Sequence, residues 1–167
     1  MPDLTIFFGS QTGKAEALAQ DFTDEAIRRG VDAECVDLDE FTPAVFEQRS
    51  VFVFLLANTG DGDFTDNALK FEKYLFLEST NTSGNTSNAC APGSKILNFP
   101  FAVFGLGDRT YLNFDQTGRK VDARLEELGA RRLYRRGTGD DSGNLVGDFD
   151  MWKKDFWEAL KKELGLP

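Results

Sequence analysis

The run Leu4-Thr5-Ile6-Phe7-Phe8 is apolar, rich in β-formers and closed by Gly9, which predicts a buried strand. From Lys14 to Arg29 the period changes. Ala15, Leu18, Ala19, Phe22 and Ala26 fall on one helical face, and Gly30 ends the pattern. Val31 to Leu38 alternates apolar and polar residues and predicts a second strand. Val51 to Ala57 is apolar without interruption, the signature of a strand covered on both faces in a parallel sheet. A helix is predicted over Asp66 to Glu78, with Leu69, Tyr74 and Leu77 among its apolar positions. Phe101-Ala102-Val103-Phe104 is a fourth, fully buried strand. Leu112 to Leu128 predicts a helix with Phe114, Val121, Leu125 and Leu128 on one side, ended by Gly129. Arg132-Leu133-Tyr134 is a short charged strand suited to a sheet edge. The last helix, Phe149 to Leu164, aligns Phe149, Trp152, Phe156, Leu160 and Leu164.

Strands and helices alternate throughout. That rhythm predicts an α/β fold: a doubly wound, five-stranded parallel sheet of order 2-1-3-4-5, helices on both faces and right-handed crossovers. One domain spans residues 1–167. One segment, Ser79 to Ser94, breaks the rhythm with Ser, Thr, Asn, Gly, Ala and Pro, so 79–94 is expected to be a mobile polar loop. It holds two glycosylation-type triplets, Asn81-Thr82-Ser83 and Asn85-Thr86-Ser87. With no secretory signal at Met1-Pro2-Asp3 they read as plain polar loop. No apolar run approaches the ~20 residues of a membrane span, so the expectation is a cytoplasmic chain without direct membrane contact.

Composition narrows the chemistry. A net charge of −9 opposes bulk electrostatic binding to nucleic acid or anionic lipid and favours a basic protein partner. The chain has no His, which removes His-based acid–base catalysis, Ser-His-Asp triads and His metal sites. Cys35 and Cys90 are its only cysteines, too few for a four-cysteine zinc site. No metal site is expected. Among the aromatics there are 16 Phe against three Tyr and two Trp, so the core should be built from rings with no polar handle.

In such a sheet, ligands bind beyond the carboxyl ends of the strands at the topological switch. The loops to inspect follow Phe8, Ala57 and Phe104, with the stretch after Tyr134 a fourth wall. Gly9-Ser10-Gln11-Thr12-Gly13-Lys14-Ala15 opens straight into a helix, whose N-terminal amides suit an anion. Read structurally, the same residues are a capped helix start, with Thr12 as the cap and Glu16 completing a capping box. Neither the Walker A nor the Gly-x-Gly-x-x-Gly spacing is present. Ala57-Asn58-Thr59-Gly60-Asp61-Gly62-Asp63 and Gly105-Leu106-Gly107-Asp108-Arg109-Thr110-Tyr111 bring glycines and a ring that could stack on a flat ligand. Gly137-Thr138-Gly139-Asp140-Asp141-Ser142-Gly143-Asn144 reads as an acidic loop.

These four loops, through Ser10-Gln11-Thr12-Gly13, Gly60-Asp61-Gly62-Asp63, Phe101 to Asp108 and Gly139-Asp140-Asp141, resemble a flavodoxin-like FMN domain. More narrowly, Val121 to Ala130 and Gly139 to Leu145 resemble the FMN half of the NADPH–cytochrome P450 reductase, or diflavin reductase, family. The resemblance implies that Ser10, Gln11, Thr12, Gly13, Lys14 and Ala15 cradle the FMN phosphate. It implies that Ala57, Asn58, Thr59, Gly60 and Asp61 line one side of the flavin. Leu106, Gly107, Asp108, Arg109, Thr110, Tyr111, Leu112, Asn113, Phe114 and Asp115 would line the other, with Tyr111 stacked on the ring. Asp141 would sit at the flavin edge with a part in electron transfer; no side chain would be catalytic in the acid–base sense. Thr59 stands where P450 reductases usually carry a stacking Tyr, and Lys14 replaces a small polar residue. FAD and NADPH would belong to a separate parent module that feeds this chain. The partners implied are that FAD/NADPH module and a basic-faced redox protein such as a cytochrome. Other readings stay open: a free-standing flavodoxin-like carrier, a flavodoxin-fold interaction module without flavin, a flavin or quinone reductase of the same fold. A phosphoacceptor receiver domain would need a Lys after the fifth strand, which Tyr134-Arg135-Arg136-Gly137 does not supply.

Overall fold

The computed structural model describes residues 2–59, 62–77, 97–108, 115–140 and 142–167. The 79–94 segment, Gly60, Asp61, 109–114 and Asp141 lie outside the described residues. In chain order the elements are β1 (Leu4–Gly9), α1 (Lys14–Arg28), β2 (Ala33–Asp37), β3 (Val51–Thr59), the short β4 (Asp63–Phe64) and α2 (Leu69–Glu72). Then follow β5 (Pro100–Gly107), α3 (Gln116–Glu127), β6 (Arg131–Arg132), β7 (Gly137–Asp140) and α4 (Leu145–Leu164).

The parallel ladder runs β2-β1-β3-β5-β6, with β7 also pairing in parallel with β5 and β4 lying antiparallel on the end of β3. This is the expected 2-1-3-4-5 order once β6 and β7 are taken as two halves of the fifth strand. The expected strand at Arg132–Tyr134 is corrected accordingly. Pairing stops at Arg132, and it resumes at Gly137, inside the stretch that reads from sequence as a loop. The cause is packing. Leu133 and Tyr134 lean on the core beneath α1 and α4, and the indole N–H of Trp152 donates to the Arg135 carbonyl at 2.9 Å. The chain bends towards α4 before rejoining β5.

The strands sort their side chains by parity. Leu4, Ile6 and Phe8 of β1, Val51, Val53 and Leu55 of β3, and Ala102, Phe104 and Leu106 of β5 pack with α1 and α4. Phe7, Phe52, Phe54, Leu56, Phe101 and Val103 face the other way, onto α3 and the segment around α2. Both layers are aromatic, as the Phe content implies: Phe54 lies between Phe7 and Phe71, with ring centroids 5.5 and 5.1 Å away. The predicted α1 face (Ala15, Leu18, Ala19, Phe22, Ala26) is buried, and so are Phe149, Trp152, Phe156 and Leu160 of α4.

The helix expected over Asp66–Glu78 is less regular. A 3-10 turn at Asp66–Ala68 passes into α2, and a wider π turn follows at Lys73–Leu77. Phe71, Tyr74 and Leu75 turn inward while Leu69 stays half exposed. Among the described residues no helix is long and apolar enough to cross a membrane.

Phe54 is fully buried between two aromatic neighbours. Phe54→Ala should therefore destabilise the fold by about 3–5 kcal/mol. Urea unfolding checks this; a loss under ~1 kcal/mol would mean that this core repacks freely.

Candidate functional site

Sheet register decides which loops meet. Gly9 pairs with Leu56, Leu56 with Gly105, and Gly105 with Thr138. The residues that follow on each strand, Ser10, Ala57–Thr59, Leu106–Asp108 and Gly139–Asp140, therefore leave the sheet along one line. β1 continues into α1 and returns as β2 on one side, whereas β3 and β5 lie on the other. The line is thus the topological switch.

At β1 the turn is tied from within. The Ser10 hydroxyl accepts the Gly13 N–H at 2.8 Å, and Gly13 takes φ 91°, a left-handed conformation that glycine adopts without strain. Gly13 is the N-cap of α1 and no side chain caps the helix, so Thr12, exposed, is not the cap that sequence suggests. Two amides of the expected cradle are already engaged: Gly13 N–H by Ser10, and Ser10 N–H by Asn67. Among the described residues the amides of Thr12, Ala15 and Glu16 have no acceptor within the chain. Open space surrounds Gly13, where an added Cβ would meet nothing within 4 Å. Orphaned donors, the positive end of a helix and room beside them fit a phosphate. Lys14 is exposed on the same turn, and the Ala15 side chain is buried in the core.

Sequence reasoning passes over the residue that braces this turn. Asn67 Oδ1 accepts from Ser10 N–H (2.9 Å) and from the Thr65 hydroxyl (2.7 Å). Its Nδ2 donates to the Phe8 carbonyl (3.3 Å) and to Asp37 Oδ1 (3.0 Å). Gln11 and Asp66 form a second, exposed link: Gln11 Nε2 donates to Asp66 Oδ2 and Asp66 N–H donates to Gln11 Oε1. The only signal in the sequence is an Asn near a predicted helix start, which is indistinguishable from ordinary capping.

On the second wall, Ala57 packs against the α1-side core and Thr59 pairs with Asp63 at the β3–β4 turn. The Asn58 side chain serves α3: its Oδ1 accepts the Thr117 N–H at 3.0 Å. It takes the place of a cap that Asp115, the N-cap residue, does not supply with its own side chain. On the third wall, the Leu106 side chain belongs to the core, so only its backbone reaches the sheet edge; Gly107 and Asp108 are partly exposed. Arg109, Thr110, Tyr111, Leu112, Asn113 and Phe114 lie outside the described residues, as do Gly60, Asp61 and Asp141. On the fourth wall, Asp140 Oδ1 accepts from the amide and hydroxyl of Ser142, and Asp148 Oδ2 accepts the Asp140 N–H. The stretch that reads as a solvated acidic loop is therefore strand up to Asp140 and a side-chain-braced turn after it.

Asp115 is buried, 2% exposed, and wedged between β5 and α3; a Cβ on Gly105 would overlap its carboxyl group. Its backbone sits at φ 57°. Arg136 Nε lies 2.9 Å from Oδ2, an ion pair without an aligned hydrogen bond. Burial pushes the Asp115 carboxyl up to about 6, against the opposing pull of Arg136. The pair joins the root of the loop after β5 to the residue just before β7.

The chain matches the flavodoxin family over residues 6–152. It is 39% identical over 163 residues to the NADPH–cytochrome P450 reductase of Dictyostelium discoideum, covering 97% of this chain and 23% of that protein. It is 38% identical over 169 residues to those of Rattus norvegicus and Homo sapiens, covering 98% of this chain and 23% of each. The chain thus spans about a quarter of the length of these curated relatives. Among solved structures it resembles a cysteine-to-alanine mutant of flavodoxin from Pseudomonas aeruginosa, with a TM-score of 0.71 over 95% of this chain and 98% of that one, at 23% identity. At that identity the likeness is one of fold.

The raised Asp115 pKa has a sign. The folded state holds the proton up to about pH 6, the unfolded chain only to ~4. The group's contribution to stability is thus full below pH ~4 and lost as pH rises through 6. Asp115→Asn should remove this slope, so that the variant gains on the parent between about pH 4 and 7 by on the order of 2 kcal/mol. Urea midpoints of both proteins across that range measure it; a constant difference would show that Asp115 does not titrate there.

Proposed function

The chain belongs to the flavodoxin family, and on that premise we propose that its 167 residues form one FMN-binding domain serving electron transfer in a P450-reductase-type diflavin enzyme. The observation that carries the proposal is the convergence of four strand-end segments on the switch line, with orphaned helix amides at one end of it. In this reading the amides of Thr12, Ala15 and Glu16, the hydroxyls of Ser10 and Thr12, and Lys14 hold the phosphate. Ala57–Asp61 and Leu106–Asp115 flank the flavin, Tyr111 stacks on it, and Asp141 stands at its edge. Bound there, FMN would supply reversible one- and two-electron transfer.

The chain's own residues position, shield and bias. Asp63, Asp108, Asp140 and Asp148 surround the switch line and set a negative field there. Such a field disfavours added electrons on any bound group and so lowers its potential. It also attracts a basic partner surface. The relatives' name carries NADPH and cytochrome P450, and this chain corresponds to 23% of their length. In the proposal, FAD and NADPH therefore sit in a separate module that reduces this domain, and a cytochrome-like acceptor takes the electrons onward.

The test begins with the visible absorbance of the purified protein and identification of any extracted chromophore, followed by titration of apoprotein with FMN. Oxidised-flavin bands released as FMN are expected. A colourless protein that leaves added FMN fluorescence unquenched would overturn the reading in favour of a flavin-free interaction module. Thr59 ends β3 at the second wall with no ring to offer. Thr59→Tyr should tighten FMN about three- to tenfold, the worth of one aromatic stack; unchanged affinity would place residue 59 away from the flavin plane. Electron transfer to a basic acceptor such as cytochrome c should slow as ionic strength rises, and a salt-independent rate would count against acidic docking.

A further inference from the structure

We infer that Asn67 is the positioning residue of the phosphate-binding turn, and that its carboxamide is what lets this site tell FMN from riboflavin. The inference deepens the FMN reading and rests on it. Its basis is geometric. Two donors, Ser10 N–H and the Thr65 hydroxyl, converge on Oδ1, and two acceptors, the Phe8 carbonyl and the Asp37 carboxylate, face Nδ2. Those partners leave a single orientation for the amide, because flipping it would set donor against donor and acceptor against acceptor. The anchors come from the end of β1, the end of β2 and the segment after β4, so the group is fixed in three directions.

The consequence falls on the turn. Ser10 N–H is taken up by Asn67 Oδ1, and the Ser10 hydroxyl accepts the Gly13 N–H, with Gly13 at φ 91°. Around the turn so fixed, the amides of Thr12, Ala15 and Glu16, the last two open as at any helix start, have no partner among the described residues. Asn67 itself need not touch a ligand. The parallel Gln11–Asp66 link is exposed, with contacts of 3.2 and 3.3 Å, and is the weaker brace. A phosphate gains from a preorganised turn because binding then costs little ordering. Riboflavin has no phosphate, so it gains nothing from that turn.

The experiment compares parent and Asn67→Ala in equilibrium titrations with FMN and, separately, with riboflavin, read by quenching of flavin fluorescence. Near-UV circular dichroism from Trp152 and Trp157 of α4 checks that each variant is folded. Asn67→Ser, which keeps a polar group in the gap, carries the comparison if the alanine variant does not fold. FMN affinity is expected to drop about tenfold or more, the worth of one lost hydrogen bond at a part-buried site, and riboflavin affinity to stay within about threefold. Unchanged FMN affinity in a folded variant would overturn the inference. So would equal weakening of both flavins, which would make Asn67 a support of the whole site. A parent that binds neither flavin would instead overturn the FMN reading, and the inference with it.

Discussion

β3 is held between β1 and β5 with every side chain from Val51 to Leu56 out of water. Its alternate residues feed two different cores, Val53 and Leu55 beneath α1 and α4, Phe52, Phe54 and Leu56 beneath α3. A slip of one residue would exchange those sets, driving Phe rings into the small-residue face of α1, where Ala15, Ala19 and Ala26 leave no room. The register is therefore fixed by volume as well as by hydrogen bonds. Because it is fixed, Gly9, Leu56, Gly105 and Thr138 are neighbours, and four unrelated loops begin at one place. The site's position follows from strand packing in which only the strand ends reach the site.

A shared starting line does not by itself give the loops a shape, and polar groups near the sheet do that. Asn67 gathers β1, β2 and the segment after β4, and Asp115 with Arg136 joins the β5–α3 connection to β7. The two devices differ in kind. Asn67 is neutral and has all four of its hydrogen-bonding positions filled, so it adds rigidity at little desolvation cost. Asp115 is a buried carboxylate balanced by one partly exposed guanidinium, so its ionised form carries a penalty that the ion pair only partly offsets. A rigid turn after β1 and a wall whose root depends on pH are different demands, met by different chemistry.

Much of this was legible in the sequence. The continuous run Val51–Ala57 announced a central parallel strand, and the α1 face could be listed from its spacing because α1 packs on the sheet along one stripe. The strand order and the four loops followed from alternation. The split fifth strand did not. Gly137, Thr138 and Gly139 have weak strand propensity, and they pair with β5 because Trp152 and the bend at Leu133–Arg136 deliver them there, a tertiary cause with no local sign. The wide turn at Lys73–Leu77 escaped because nothing in the spacing marks it: the inward residues Ala68, Phe71, Tyr74 and Leu75 still fit an ordinary α face. The capping of α3 by Asn58 from a distant strand likewise depends on a contact across the fold.

The densest basic run of this acidic chain, Arg131-Arg132-Leu133-Tyr134-Arg135-Arg136, shows how the same logic governs charge. As a sequence it looks like a positive patch. In the fold Arg131 is bound bidentately by Glu163, Arg132 by Asp122 and Glu126, and Arg136 faces Asp115, while Arg135 lies over the Tyr134 ring. The exposed members of these pairs contribute little stability each. What they do is neutralise one another along the edge strand, which blunts β6 against pairing with another chain. Three of the four cations are spent on partners inside the fold, one of them directly beneath the loops. Asp63, Asp108 and Asp140 at the sheet's strand ends, and Asp148 in the first turn of α4, then face little competing positive charge from this run.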